Sequence, residues 1–227
     1  MTLKRSNSGN PWMRFDKAFL TGCDKATEWM LPWFIHHFRS HVNLPLVFAD
    51  FGLTKQPREF IGKHAACIIE MQDMPEKGWF KKPKAMLACP SIKTVWIDTD
   101  CQVTTNIDQI FDRIVAKKLL MGEDIPWSKR RNDKWHNSGV VGFVDKPYIL
   151  NQWADEVMKN PQVGDQEVLH SMLNPITRIG AIEDLPNEYN VLRIQMEEDG
   201  PYKGKTKIIH WTGRKGKERI KDMIKDG

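Results

Sequence analysis

The sequence predicts an α/β fold in which helices flank a largely parallel central sheet, within a single domain. Short apolar runs of strand length alternate with longer amphipathic runs of helical length, the order that produces such a sheet. Three of the apolar runs end in an acidic residue, at the sheet edge where ligands of this fold class bind. The 227 residues, of which 41% are hydrophobic, suit one domain with a sizeable core.

The first apolar run, Phe15–Cys23, is the first predicted strand, and Gly22 permits a tight turn at its end. The other predicted strands are Pro45–Asp50, Ala66–Met71, Thr94–Ile97, Leu119–Gly122, Val140–Val144 and Lys207–Trp211. Residues 1–14 precede all of these runs, and we expect them to form a flexible N-terminal segment. The folded domain is therefore predicted to span 15–227.

Amphipathic runs of helical length separate these strands. The predicted helices are Glu28–Val42, Gly78–Cys89, Lys146–Asn160, Asp165–Leu173 and a basic tail from Gly216. Asp24 or Thr27 can cap the first of them. Pro83 either breaks the second helix or begins it.

Several classes of protein are disfavoured by composition. The chain has no run of eighteen apolar residues, so no membrane span is expected. The polar start of the chain does not resemble a signal peptide, and we expect a cytoplasmic protein. The four cysteines form no C-x-x-C pair, which favours small buried thiols over disulfides or a zinc site.

The net charge of +5 is concentrated in three basic runs, at 81–84, 129–131 and 214–221. A basic surface can attract nucleic acid, a diphosphate or an acidic glycan, and solvated charge is the simplest interpretation of each run. Because the sequence carries no RRM, KH or zinc-finger signature, nucleic acid is not an expected partner.

Three predicted strands end in carboxylates at one predicted edge of the sheet. Asp24 follows the first strand, Asp50 ends the second and Asp98 follows the fourth. Carboxylates gathered in one place repel one another unless a cation or a ligand compensates their charge. The pattern therefore indicates a ligand-binding edge.

The triplet Asp98-Thr99-Asp100 is the most informative motif. In an extended segment, residues two apart project to the same side, so both carboxylates can offer hard oxygen ligands to Mg²⁺ or Mn²⁺. The alternative is a turn in which Asp98 or Asp100 binds nearby backbone amides. Position directly after a buried strand strengthens the metal interpretation until it equals that of the turn.

A second candidate motif lies near the end of the chain. His210 ends an apolar strand and can complete a metal shell as a neutral imidazole. Gly213 lets the backbone approach a phosphate, and the adjacent Arg214 and Lys215 can neutralise diphosphate charge. A single histidine at a strand end is more often structural, so this assignment depends on its neighbours.

Two further polar segments are ambiguous on their own. Asn137, Ser138 and Gly139 precede a predicted strand and can either hydrogen-bond sugar hydroxyls or form a turn. Asp165, which opens a predicted helix beside Gln166, is most simply an N-cap or first-turn acid.

Taken together, these motifs resemble those of GT-A glycosyltransferases, in the same order along about residues 15–217. The match is nearest to the retaining family 8, which includes glycogenin and bacterial lipooligosaccharide galactosyltransferases. The motifs that carry it are Thr21-Gly22-Cys23-Asp24, Asp98-Thr99-Asp100, Asn137-Ser138-Gly139, Asp165-Gln166 and His210-x-x-Gly213.

The resemblance implies a GT-A fold and a UDP-hexose donor, with UDP-glucose or UDP-galactose as the candidates and an unknown glycan, protein or small molecule as acceptor. It implies that Asp98, Asp100 and His210 hold Mn²⁺ or Mg²⁺ and that Asp165 and Gln166 are catalytic. The nucleotide-sugar would bind Thr21, Gly22, Cys23, Asp24, Asp50, Lys84, Asp98, Thr99, Asn137, Ser138, Gly139, Asp165, Gly213 and Lys215.

The chain departs from the family pattern after the metal histidine. The family usually has a lysine six residues further on, where this sequence has Gly216 between Lys215 and Lys217. Either lysine is therefore a candidate for the diphosphate contact.

Three alternatives to this hypothesis remain at the level of sequence, of which one is a basic nucleic-acid-binding protein whose Asp98-Thr99-Asp100 triplet is structural. An inverting GT-A enzyme would need a general base, for which Glu183 or Asp184 is a candidate. A non-catalytic nucleotide or glycan-binding module would keep the metal ligands without turnover. For the retaining enzyme, the neutral amide of Gln166 is a poor nucleophile, which favours attack from the side of the leaving group.

Overall fold

The computed structural model describes residues 3–4, 14–71, 78–159, 163–197 and 204–226. Eight strands form the central sheet in the order β1-β4-β3-β2-β5-β8-β7-β9, and three short strands form a second sheet in the order β10-β11-β6. The strands are β1 (Leu3–Lys4), β2 (Phe15–Cys23), β3 (Leu46–Asp50), β4 (Cys67–Glu70), β5 (Ser91–Ile97), β6 (Cys101–Val103), β7 (Leu119–Glu123), β8 (His136–Val144), β9 (Ile182–Leu185), β10 (Val191–Leu192) and β11 (Ile208–His210).

Helices cover both faces of the central sheet. They are α1 (Leu31–Arg39), α2 (Lys55–Gly62), α3 (Gly78–Ala88), α4 (Ile125–Arg131), α5 (Tyr148–Lys159), α6 (Asp165–Met172), α7 (Pro175–Ala181), α8 (Arg193–Glu197) and α9 (Gly213–Asp226). Short 3₁₀ segments occupy Glu28–Met30, Asp108–Arg113 and Asn187–Tyr189.

The predicted α/β class with a largely parallel sheet is confirmed. Within the central sheet β1 and β8 run against the other strands, which share one direction. Since β8 is antiparallel, its first residues lie at the same edge as the last residues of β5, where Val140 pairs with Ile97. This edge therefore collects the ends of β2, β5 and β7 together with the start of β8.

Buried strands were predicted well because continuous apolar runs identify them. Strand β2 has the predicted bounds, and β3, β4 and β7 differ from prediction by a residue at one or both ends. The predicted helix Glu28–Val42 is instead a 3₁₀ turn followed by α1, which stops at Arg39. The helix predicted over Lys146–Asn160 runs from Tyr148 to Lys159, and Asn160 lies outside the described residues.

Two boundaries near the candidate site differ from prediction. Asn137, Ser138 and Gly139 lie inside β8, so the expectation that they precede the strand is wrong. The basic tail helix begins at Gly213, three residues before the predicted start at Gly216. Of the predicted flexible segment 1–14, residues 3–4 pair with β4 and Arg14 is described, while the others lie outside the described residues.

The core is split between the two faces of the sheet because alternate strand residues point in opposite directions. On β2, Phe19 packs with α1 and Phe111, while Leu20 belongs to the opposite cluster, which contains Trp153. On β5, Ile97 and Trp96 divide in the same way. A strand buried on both faces holds its end rigidly, which fixes the position of the residues that follow it.

An irregularity in β8 shapes the edge of the sheet. Gly122 on β7 pairs with Asn137, whereas the preceding Met121 pairs with Val141, so the residues between them on β8 have no partner on β7. The amide of Asp98 donates to the carbonyl of Gly139 at 2.8 Å. A bulge of this kind redirects side chains, and here it lies beside the acidic triplet.

The second sheet carries the late histidine to the same place. Strand β11 pairs antiparallel with β6, with His210 directly opposite Cys101. The amide of Trp211 donates to the carbonyl of Asp100 at 3.0 Å. Among the described helices, none is both long and apolar enough to cross a membrane.

Candidate functional site

A cleft opens at the edge where β2 and β5 end. Its walls come from the turn after β2, from α3, from the acidic triplet and from α9. The lining residues are Gly22, Cys23, Asp24, Ala26, Thr27, Met30, Phe51, Gly78, Lys82, Trp96, Asp98, Thr99, Asp100 and Lys217.

His210 lies beside Asp98 and Asp100, both of which line this cleft. The imidazole Nε2 of His210 lies 3.2 Å from Asp100 Oδ1 and 3.8 Å from Asp98 Oδ2. Neighbouring ligands of an octahedral Mg²⁺ with bonds of 2.0–2.1 Å lie about 3 Å apart. The separation of Asp100 from His210 is that of neighbouring ligands, and two carboxylates with an imidazole are donors that suit a divalent cation such as Mn²⁺ or Mg²⁺.

The pKa values of Asp100 and His210 shift in opposite directions. Burial alone raises the pKa of Asp100, but the charge and hydrogen bond of His210 outweigh it and the net shift is downward. Burial lowers the pKa of His210, but Asp100 and Asp98 outweigh it and the net shift is upward. Each shift favours the charged form, so the two side chains make an ion pair unless a metal ion replaces the imidazole proton.

A set of amides and one glycine orient His210. Its Nδ1 lies 3.1 Å from Asn137 Oδ1 and 3.1 Å from Asn190 Oδ1. A Cβ added to Gly139 would lie 2.1 Å from the Cε1 atom of the ring, so only glycine leaves room for the imidazole. Holding one ring nitrogen by hydrogen bonds leaves the other directed at the carboxylates.

Lys82 supplies the positive charge on the other side of the acidic triplet. Its ammonium lies 3.1 Å from Asp98 Oδ1 and 3.2 Å from Asp165 Oδ2, and it donates to the carbonyl of Ser138 at 3.1 Å. Burial lowers the pKa of Lys82, but Asp165 and Asp98 outweigh that effect and the pKa is raised. Lys82 therefore stays charged inside the protein and links three chain segments.

Gln166 belongs to a hydrogen-bonded group beside the acidic triplet. Its Nε2 donates to Asp124 Oδ2 at 3.1 Å, and its Oε1 accepts from Asn137 Nδ2 at 3.1 Å. Asp165 is the first residue of α6, and its carbonyl accepts from Trp153 Nε1 at 2.9 Å. The N-cap of this helix is Gly164, so the Asp165 carboxylate is directed at Lys82 instead of capping the helix.

The turn after β2 forms another wall of the cleft. Asp24 accepts hydrogen bonds from the amide of Ala26 at 3.0 Å and from the hydroxyl of Thr27 at 3.1 Å. Cys23 is buried, and burial together with the charge of Asp24 raises the pKa of its thiol. Thr21 is fully buried and its hydroxyl has no hydrogen-bond partner among the described residues.

Asp50, Lys84 and Lys215 are among the predicted site residues that lie apart from the cleft lining. The fully buried carboxylate of Asp50 accepts from the amides of Gly52 and Leu53, both at 2.8 Å, and binds Arg58. Lys84 lies two residues after Lys82 on α3, a rotation of about 200° that directs it to another side of the helix. Lys215 is exposed and lines a separate depression with Glu197 and Glu218.

Of the two candidate lysines after His210, Lys217 is the one that lines the cleft. Its charge contributes to the lowered pKa of Asp100. Gly213 is exposed and begins α9 with a positive φ of 72°, which favours glycine.

The candidate bases for an inverting enzyme lie on β9, where Glu183 pairs with Lys118 at 2.9 Å and Asp184 binds His136 at 2.9 Å.

Sequence reasoning missed Lys82, Asp124 and Asn190. Asp124 follows a buried strand, the same signal that identified Asp24 and Asp98, and it could have been found in that way. Lys82 stands one helical turn after Gly78, which also lines the cleft, but the orientation of α3 is needed to see this. Asn190 lies in an irregular segment with no such signal.

Comparison with known proteins adds to this geometry. No protein-family profile matches the sequence, and no curated protein matches it significantly. Among solved structures, the glycosyltransferase GlyE of Streptococcus pneumoniae TIGR4 matches with a TM-score of 0.66 at 16% identity, over 88% of this chain and 55% of GlyE. The galactosyltransferase LgtC, solved with donor and acceptor sugar analogues, matches with a TM-score of 0.62 at 13% identity, over 92% of this chain and 95% of LgtC.

This chain has the GT-A fold of glycosyltransferases. Mouse xyloside xylosyltransferase 1 shares it, with a TM-score of 0.54 at 15% identity over 87% of this chain and 97% of that enzyme. The chain spans little more than half the length of GlyE, since it covers 55% of it. At these identities the likeness establishes the GT-A fold, and the chemistry has to be argued from the site.

We predict that Gly139→Ala weakens the binding of Mn²⁺ by Asp98, Asp100 and His210. The new Cβ would displace His210, so the affinity for Mn²⁺ measured by titration calorimetry is expected to fall at least about tenfold. Gly62→Ala is the matched control, because a Cβ there meets nothing within 4 Å. Equal Mn²⁺ affinities in the two variants would contradict the role of His210.

We predict that Lys82→Met destabilises the fold, because it leaves Asp98 and Asp165 without their buried counter-charge. Breaking a buried ion pair costs about 3–5 kcal/mol, which urea unfolding in EDTA can measure. The control Lys84→Met, on another side of α3, should change stability by about 0.5 kcal/mol or less. Adding Asp98→Asn to Lys82→Met should restore part of the loss, and a further fall in stability would argue against the ion pair.

Proposed function

We propose that this chain is a metal-dependent glycosyltransferase that transfers a hexose from a UDP-sugar to an acceptor hydroxyl, with retention of anomeric configuration. The observation that carries the proposal is the convergence of Asp98, Asp100 and His210 at the cleft of a GT-A fold. Transfer breaks the bond between the anomeric carbon and the diphosphate oxygen. Negative charge on the leaving group must therefore be stabilised there.

The residues that would hold the donor lie around this cleft. Asp98, Asp100 and His210 would bind Mn²⁺ or Mg²⁺, which when bound supplies positive charge against the diphosphate. Lys217 lines the same cleft and would add a second positive charge at the diphosphate. The end of β2 and the residue after it, Gly22–Asp24, with Met30 and Phe51 beside them, offer an apolar wall with polar edges for the base and ribose.

The hexose would lie between the acidic triplet and Gln166. Lys82, Asp165 and Asn137 place one ammonium, one carboxylate and one amide there, groups that can pair with sugar hydroxyls. All three are more than nine-tenths buried and already hydrogen-bonded or ion-paired. Such fixed partners orient a sugar ring without reorganisation.

Retention is favoured by the side chain at the reacting face. Gln166 is a neutral amide whose two polar atoms are engaged by Asp124 and Asn137, so it is a poor nucleophile. The acceptor oxygen would attack from the side of the leaving group, and its proton would pass to the departing phosphate oxygen. Gln166 would orient the sugar and stabilise positive charge on the ring.

We predict donor-specific, metal-dependent release of a nucleotide diphosphate. UDP-, GDP- and ADP-sugars are each incubated with Mn²⁺ or EDTA, and the released diphosphate is quantified. We expect release from a UDP-hexose with Mn²⁺, and a loss of at least about 100-fold in Asp100→Asn. The exposed Asp112→Asn, whose carboxylate pairs with Lys17 at 3.5 Å, is the control. Metal-dependent binding without release from any donor would indicate a binding module.

We predict that Gln166→Ala slows turnover by about 10- to 1000-fold yet leaves measurable activity, with little change in the KM for the donor. The anomeric configuration of the product, read by NMR, should match that of the donor. Inversion of configuration, or complete inactivity of Gln166→Ala with intact donor binding, would contradict the proposed same-face attack.

A further inference from the structure

A thiol stands beside the ligands of the proposed metal site. Strand β6 begins with Cys101 directly after the acidic triplet, and Cys101 is the antiparallel partner of His210. Side chains of directly opposed residues in an antiparallel pair project to the same face of the sheet. The pairing of β6 with β11 therefore brings the sulfur and the imidazole together.

The three potential ligand atoms of Asp100, Cys101 and His210 all lie within 4.8 Å of one another. In a tetrahedral zinc site, with Zn–S bonds of about 2.3 Å and Zn–N bonds of about 2.0 Å, neighbouring ligand atoms lie about 3.5 Å apart. The sulfur's contact with the carbonyl of Gly139 spans 4.0 Å, a length at the limit of a hydrogen bond to sulfur. Small side-chain rotations would therefore close the set around a cation.

Asp98 differs from these three side chains because other groups already engage it. Its carboxylate lies 3.1 Å from Lys82 Nζ and accepts from Trp96 Nε1 at 2.6 Å. A hard cation that needs many oxygen ligands gains from Asp98 despite this competition. A softer cation with low coordination number can instead take the thiol and leave Asp98 to Lys82.

We propose that Asp100, Cys101 and His210 form a second ligand set, selective for a thiophilic divalent cation such as Zn²⁺ or Co²⁺. The two sets share Asp100 and His210, so the thiophilic cation and Mn²⁺ exclude each other. Coordination forms a metal–sulfur bond and releases the thiol proton to the buffer. The expectation that Zn²⁺ inhibits sugar transfer rests on the proposed function. The expectation that the thiol of Cys101 binds the cation does not.

Titration with Co²⁺ tests this directly, because a cobalt–thiolate bond gives a charge-transfer absorption in the near ultraviolet. The whole protein, freed of metal with EDTA and desalted, should develop this absorption and saturate at one equivalent of Co²⁺. Excess Mn²⁺ should diminish the absorption by occupying Asp100 and His210. The measurement needs no sugar nucleotide.

Two cysteine variants separate the site from other thiols. Cys101→Ser should abolish the absorption and weaken Zn²⁺ binding at least about tenfold in calorimetry. Cys89→Ser is the control, since Cys89 is equally buried but lies in the other core cluster, beside Ser91. Thermal unfolding in EDTA verifies that each variant folds, and Asp100→Asn should also lose the absorption if Cys101→Ser fails to fold.

The outcomes are distinct from those of the donor assay. Absence of the absorption in the native protein, or its persistence in Cys101→Ser, would overturn the second ligand set even if Mn²⁺-dependent transfer were observed. Conversely, the absorption without any transfer would support the thiol site while removing the proposed enzyme activity.

Discussion

The compensation of carboxylate charge at one edge of the central sheet is the constraint on which the rest of the site depends. Asp98, Asp100 and Asp165 come from two separate segments, and burying them together is costly unless cations lie among them. Lys82 and His210, from α3 and β11, supply that charge in the protein itself. The GT-A fold and the candidate site are thus held by the same contacts, because each ion pair joins distant parts of the chain.

Much of the fold was predictable because its signals are local. The apolar runs of β2, β3 and β7 each identify a buried strand, and the acidic residues after β2 and β5 identify the binding edge. Of the second sheet, β11 was predicted as the apolar run Lys207–Trp211, whereas β6 and β10 were not predicted. Its strands have two or three residues each, too few for a periodic pattern, and they form because β6 and β11 meet across more than a hundred residues.

The residue types of the site were predictable from the sequence, but the directions in which its side chains point were less so. Asp98, Asp100 and His210 were expected together and lie together, since each ends or follows a buried strand. The lysines show the opposite case, because Lys82 lines the cleft where Lys84 had been expected, and of the two candidates Lys215 and Lys217 it is Lys217 that lines it. Neighbouring positions on a helix face different ways, and only the docking of α3 and α9 decides which lysine enters the cleft.

The position of His210 in the chain has a consequence for biosynthesis. Asp98 and Asp100 leave the ribosome about a hundred residues before His210, their partner on β11. Strand β11 can pair fully with β6 only after residue 210 has also emerged. Domains generally fold as units during synthesis, so a nascent chain that ends before residue 210 would carry an incomplete ligand set. Formation of the cluster of Asp98, Asp100 and His210 would thereby be postponed until translation has passed that histidine.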